Sequence, residues 1–193
     1  MWYKMKKAVI KWFGDIKIYK YPPFFMLGHT EYKMKGEDVR NILTIIRPGD
    51  ILLRRYDHYI SGLMIPGYFT HAAIYTDNNK IVHMLGDGIN EQDILTFCRC
   101  DEIAIIRCSD IDTRHYAIEK ADTYYNQNIK YDFDFDFSDS TRFSCTEFID
   151  EIYQHPNFNK KLRKGYIMPD DFLTLDRDVY DIVYQKKQGK FYE

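Results

Sequence analysis

The sequence lacks any apolar run long enough to cross a membrane and any excess of one charge, and it is sparing with cysteine. Lysine plus arginine number 27 against 29 for aspartate plus glutamate, a net charge of -2, so nothing global draws the chain to nucleic acid or an anionic membrane. The four cysteines, at 98, 100, 108 and 145, have neither the paired spacing of a zinc knuckle nor that of a disulfide framework, which points to a reducing compartment. Near the N-terminus, Lys4, Lys6 and Lys7 precede an apolar run broken at Lys11, too short for a signal-peptide core. A cytoplasmic location, without signal peptide or transmembrane segment, is the expectation.

What is present is a core-forming chain of 193 residues, 45% hydrophobic and 17% aromatic, with 17 tyrosines. That length suits one domain with decoration. Trp2, Met5, Val9, Trp12 and Phe13 recur at helical spacing with lysines elsewhere on the wheel, a basic amphipathic helix over 1–13. Packing on the main domain is its expected role, and contact with a membrane surface or partner the alternative. Residues 14–46, with Pro22-Pro23 and a helical stretch from Gly36 to Ile46, read as a lead-in, so the division is 1–46 and 47–193. Arg47-Pro48-Gly49-Asp50 marks a turn before the strand Ile51-Leu52-Leu53. Residues 56–69, with Gly62, Pro66 and Gly67, form a connection suited to a lid.

The central stretch is Thr70 to Leu85, two apolar strands around Asp77-Asn78-Asn79 with a histidine in each. Side chains alternate faces, so loop length decides whether the rings meet. A two-residue loop sets Ile74 opposite His83 and sends His71 to the other face. A three-residue loop with Asn79 left-handed sets Ala73 opposite His83 and makes His71 its diagonal neighbour, with Cβ atoms ~7 Å apart. The odd loop is the expectation, with one imidazole fixing the tautomer of the other.

Ile89 to Leu95 and Ile103 to Arg107 read as further strands of an antiparallel meander, and Asp112 as the cap of a helix to about Asn126. Tyr131 to Phe137 alternates aromatic and aspartate, a strand or extended loop. It is no calcium loop, because Phe137 stands where glycine is needed and Phe143 where glutamate is needed. Ser144-Cys145-Thr146-Glu147 is a capping box, followed by the stripe Phe148, Ile149, Ile152 and Tyr153. Cys145 therefore opens a helix, where free N–H groups and the positive end of the dipole favour a thiolate and can receive an oxyanion. A cysteine beside an apolar stripe is more often a buried hydrophobe, and a lone strand histidine a core residue. Together, Cys145 as nucleophile, His71 as base and His83 as orienter form a thiol triad.

Arg47-Pro-Gly-Asp-Ile-Leu, Thr70-His-Ala-Ala-Ile-Tyr, Phe143-Ser-Cys-Thr-Glu-Phe and Met168-Pro-Asp-Asp-Phe-Leu, in that order, resemble the circularly permuted branch of the NlpC-type papain-like superfamily, closest to YiiX-like proteins. The similarity covers roughly residues 47–180. It implies an α+β fold, an antiparallel sheet or small barrel packed on helices, with Cys145 as nucleophile, His71 as base and His83 as third polar residue. YiiX-like members often carry an acidic residue at that third place. The histidine there, and the hairpin, are more similar to lecithin:retinol acyltransferase. Tyr131 matches a tyrosine whose hydroxyl joins the Cys145 N–H in binding the oxyanion, and a plain core tyrosine is the alternative.

The implied chemistry is attack by Cys145 on an amide or ester, through an acyl-enzyme, with no cofactor. Substrates of the family are peptide amides such as cell-wall fragments, or lipid acyl groups. Phe69, Tyr131, Phe133 and Phe143 are the expected substrate walls. The rival readings are a lipid acyltransferase, a zinc site of His71, His83 and Cys145, and a non-catalytic module on the same fold.

Overall fold

The strands that build the centre of the molecule are apolar on both faces, as a sheet covered on both sides demands. The structure, a computed structural model, describes residues 5–8, 16–20, 23–27, 32–57, 59, 65–136, 139–153 and 167–186. In chain order the elements are β1 (Ile16–Lys20), β2 (Pro23–Leu27), α1 (Gly36–Ile45), β3 (Asp50–Arg55), β4 (His71–Tyr75), β5 (Lys80–Leu85) and β6 (Gly88–Asp93). There follow α2 (Ile94–Phe97), β7 (Glu102–Cys108), α3 (Ile111–Gln127), β8 (Lys130–Tyr131), β9 (Arg142–Phe143), α4 (Cys145–Ile152), a 3-10 turn (Pro169–Thr174) and β10 (Tyr180–Gln185). Six strands form one antiparallel sheet, in the order β10-β7-β3-β4-β5-β6. β3 to β6 meander, and β7 then crosses back to pair with β3.

On one face Ile51, Leu53, Ala72, Ile74, Val82, Met84, Ala104 and Ile106 pack with Ala117 and Ala121 of α3 and with Phe148, Ile149 and Ile152 of α4. On the other, Leu52, Ala73, Tyr75, Ile81, Ile103 and Ile105 meet Ile42 of α1, Phe97 of α2, Cys98 and Cys100. Burial of each large aliphatic contributes about 1.5–3 kcal/mol, so two such layers hold the sheet between helices. The lead-in segment belongs to this second layer through Met34 and Ile42.

Two anchors fix the strands that carry the histidines. In the Arg47–Asp50 turn, Gly49 has φ 82°, and a Cβ there would lie 2.5 Å from Arg114 Cβ, so only glycine fits. Asp50, fully buried, receives Arg107 through Nε and Nη2 at 2.7 Å each and the Arg47 N–H at 2.8 Å. Before β4, the Asp170 carboxylate accepts the N–H groups of Tyr68 and Phe69, the latter at 2.8 Å. Gly67, at φ 115°, lets the chain pass against that carboxylate. The Met168-Pro-Asp-Asp-Phe-Leu segment thus positions the residues leading into His71.

Two expectations shift. Ile94 and Leu95 are helical, not strand, because the Asp93 side chain caps α2 by accepting the Leu95 N–H at 2.7 Å. The cap of α3 is Asp110 rather than Asp112, its carboxylate accepting the Thr113 N–H at 3.0 Å. After Tyr131 the aromatic-aspartate run is a loop, since the Asp132 carboxylate gathers the N–H groups of Asp134 and Asp136 and Phe135 is left-handed at φ 54°. In the hairpin, both Asn78 and Asn79 are left-handed, at φ 48° and 64°. Of the 1–13 helix only residues 5–8 are described, and they are helical, with Lys6 paired to Asp134 and Lys7 to Asp87. Its other positions lie outside the described residues, as do 58 and 60–64 of the suggested lid.

Candidate active site

The Ser144 capping box forms as its sequence implies. Ser144 Oγ accepts the Glu147 N–H at 3.3 Å, and the Glu147 carboxylate accepts the Ser144 N–H at 2.6 Å. That fixes the start of α4 at Cys145 while Phe148, Ile149 and Ile152 bury its apolar side against β4 and β5. The thiol is thereby pressed onto the sheet.

It lands where the sheet opens. Ile74 stands opposite Val82 and Tyr75 opposite Ile81, and there the β4–β5 ladder ends. The Thr76 N–H donates to the Lys80 carbonyl at 3.0 Å, so by the alternation of an antiparallel ladder the Ala72 N–H also points toward β5. The β4–β5 pairing stops short of Ala72, and its N–H, with those of Thr146 and of Cys145 itself, faces the Cys145 sulfur. Sulfur and His71 are thus one residue apart along the gap.

The register is that of the three-residue loop, with His71 and His83 on one face. His71 Nε2 and His83 Nδ1 share a hydrogen bond at 2.9 Å, which leaves His71 Nδ1 as the nitrogen still available. Both rings pack on Phe97, at 6.2 and 5.8 Å between centroids. They belong to the sheet face of α2, whereas Cys145 belongs to the face of α4, so thiol and imidazoles approach the gap from opposite sides. Cys145 Sγ hydrogen-bonds to neither ring in this structure.

Sequence reasoning missed Arg54. It lies on β3 directly opposite His71, only 7% exposed, with its guanidinium 4.4 Å from the Phe97 ring and 4.9 Å from that of Tyr56. The signal was present: alternation along Ile51-Leu52-Leu53-Arg54 puts this cation on the same inward face as Leu52. Burial first, then the Arg54 charge, then His83 hold the His71 imidazole well below its ordinary range. Burial and Arg54 bring His83 down to about 3. Burial also pushes the Cys145 thiol up, against the opposing pull of its three N–H partners and Arg54. The helix start therefore supplies the donors expected of it, yet desolvation outweighs them, and the resting pair is neutral thiol and neutral imidazole.

Tyr131 is brought to the same place. Its hydroxyl meets the Cys145 N–H, and burial, followed by the nearby Cys145, Glu147 and Asp132, pushes the phenol well above its usual range. Phe133 packs on Tyr131 at a tilt of 47° with centroids 4.7 Å apart, and Phe143 packs on Tyr124 at 5.3 Å. Phe69 has no exposed surface and packs in the α4-side core with Phe143, and Phe133 is buried as well. Among the described residues no three His, Cys, Asp or Glu side chains are grouped to hold a metal ion. The His71 and His83 nitrogens that face each other are engaged in their mutual hydrogen bond, which takes those two atoms out of any zinc ligand set.

Residues 45–172 match the family model described as permuted papain-like amidase enzyme, YaeF/YiiX, C92 family. Among solved structures, the chain is similar to the crystal structure of metalloprotein yiiX from Escherichia coli O157:H7, at 16% identity and a TM-score of 0.46. That similarity covers 56% of this chain and 64% of that one, so this chain spans less than two thirds of its length. No curated protein matches the chain. No helix among the described residues is long and apolar enough to cross a membrane.

Proposed function

The chain belongs to the permuted papain-like amidases of the YaeF/YiiX, C92 family, and from that membership we propose that it is a cysteine amidase whose nucleophile is Cys145 and whose base is His71. The observation that carries the assignment is the sulfur seated on the Ala72 N–H, beside a histidine whose Nε2 is already held by His83. With Nε2 occupied, Nδ1 of His71 is the atom that takes the thiol proton. The sulfur then adds to the amide carbonyl, and the Cys145 N–H and Tyr131 hydroxyl receive the oxyanion. Collapse expels the amine with the proton from His71, and water, activated by the same imidazole, releases the acid. His83 is a positioning residue throughout.

The acyl part of the substrate is a peptide fragment or a lipid acyl chain lying along Tyr131 and Phe133. A histidine at the third position, as in lecithin:retinol acyltransferase, favours a second reading in which an amine rather than water accepts the acyl group. The test of the nucleophile is iodoacetamide labelling followed by peptide mapping. Cys98, Cys100 and Cys108 are also buried, with Cys98 pushed up to about 12, so they serve as internal references. Cys145 is expected to label faster than Cys98 and Cys108, and His71→Ala to abolish that advantage. Equal rates at all of these thiols, or a rate at Cys145 indifferent to His71→Ala, would overturn the proposal.

A further inference from the structure

Of the other charged side chains buried in the described residues, Asp50 has Arg107, Asp101 takes the N–H groups of Lys33 and Asp57, and Glu147 takes that of Ser144. Arg54 differs. Its Nη1 reaches Gln92 Oε1 at 3.5 Å, its Nε has no hydrogen-bond partner, and no carboxylate pairs with it among the described residues. A buried charge without a counter-ion is strongly disfavoured, and native structures pair such groups or use them for a ligand. The rings of Phe97 and Tyr56 hold the guanidinium on the α2 face of the sheet, on the strand position opposite His71 and near enough for its charge to act on both imidazoles and on the Cys145 thiol. A planar fork held in one orientation suits a two-oxygen anion, and the Gln92 amide nitrogen adds a neighbouring donor.

We propose that Arg54 is the seat of an oxyanion group, a carboxylate or a phosphate, carried by the substrate close to its scissile amide. The substrate class becomes an anionic amide, and Arg54 a specificity-determining residue. This rests on the cysteine amidase reading. Within it, the substrate's charge enters as the counter-ion that the folded chain does not itself supply, so a neutral analogue leaves the cation unpaired and binds less well.

The experiment compares alkylation of Cys145 by iodoacetate and by iodoacetamide, which differ in charge and little in size. Taking the ratio of the two rates cancels the fraction of thiolate. Relative to glutathione, the wild-type ratio is expected to favour iodoacetate by about tenfold. Arg54→Lys keeps most of the preference, and Arg54→Gln returns it to the glutathione value. Acetate and inorganic phosphate, used as competitors, should protect Cys145 from iodoacetamide in the wild type and not in Arg54→Gln. Whichever protects at the lower concentration identifies the group as carboxylate or phosphate. A wild-type ratio equal to that of glutathione, a ratio retained in Arg54→Gln, or protection that survives that change overturns the proposal. Should Arg54→Gln not fold, the wild-type ratio, Arg54→Lys and the protection data still decide. Iodoacetamide alone, compared between Cys145 and Cys98, reports on the nucleophile, so failure of the amidase reading is seen separately from failure of the anion seat.

Discussion

Replacing His83 with leucine removes one hydrogen bond and orphans one nitrogen, and both effects fall on His71. For His71 Nδ1 to act as a base, the proton of the pair must sit on Nε2, donating to His83 Nδ1 across 2.9 Å. The opposite tautomer places a proton on Nδ1 and leaves no base facing the gap. With His83 accepting through Nδ1, the pair holds the useful tautomer, and the bond becomes charge-assisted when His71 becomes an imidazolium. Losing the partner of a buried donor costs about 1–3 kcal/mol. At about 1.4 kcal/mol for each factor of ten, that is a loss of about 5–150-fold in rate. The assay is the second-order rate of Cys145 alkylation by iodoacetamide on protein shown to be folded by circular dichroism, and kcat/KM once a substrate is known. His83→Asn, whose side-chain oxygen also accepts a hydrogen bond, should recover part of the loss. A His83→Leu protein that reacts within about twofold of the wild type would refute the tautomer argument.

Stability should fall between pH 7 and pH 5. Both imidazoles are held below 6.5 in the fold, so below that pH the unfolded chain binds protons that the folded chain refuses. The stabilisation is complete above roughly pH 6.5 and is lost as pH falls toward about 3, His83 alone accounting for about 2 kcal/mol at pH 5. Asp150, pushed up to about 6 by burial and by Glu151 and Glu147, acts in the opposite sense, so the informative quantity is the difference in melting temperature between wild type and His83→Leu across this range. A difference that does not change with pH contradicts the assignment. Asp170→Ala should destabilise by about 2 kcal/mol in denaturant titration, because it orphans the N–H groups of Tyr68 and Phe69. It should also slow Cys145 alkylation by loosening the entry to β4, and a rate unaffected by that loss would show that His71 is placed by other contacts.

The parity of the hairpin was legible because a loop of odd or even length leaves only two outcomes, and the Asp77-Asn78-Asn79 cluster favours one. The start of α4 was legible for a similar reason, a serine and glutamate three residues apart having few other ways to satisfy each other. Arg54 was hidden by distance. Alternation alone places it inward with Leu52, but its environment is made by His71 across β3–β4 and by Phe97 from α2, neither near it in sequence, so its part in the site shows only once those partners are placed. The sign of the thiol shift was hidden too, since donors at a helix start are local whereas the burial that outweighs them is a property of the whole packed face. Phe69 is buried because Asp170, about a hundred residues later, draws its backbone inward, a contact that local pattern does not reveal.

The electrostatics of the site argue for activation on binding rather than at rest. A buried guanidinium beside two imidazoles disfavours the imidazolium, and burial disfavours the thiolate, so proton transfer from Cys145 to His71 in the empty site creates two charges where a third, unpaired one already stands. An anion seated on Arg54 offsets the second of the causes that lower the His71 basicity, while burial, the larger one, remains. His71 regains part of its proton affinity, the thiolate loses the help of the Arg54 charge, and the donors of Ala72, Thr146 and Cys145 still favour it. The substrate's charge would then gate the chemistry as well as its own binding: neutral amides should suffer in kcat and not only in KM, because for them Arg54 continues to oppose the base.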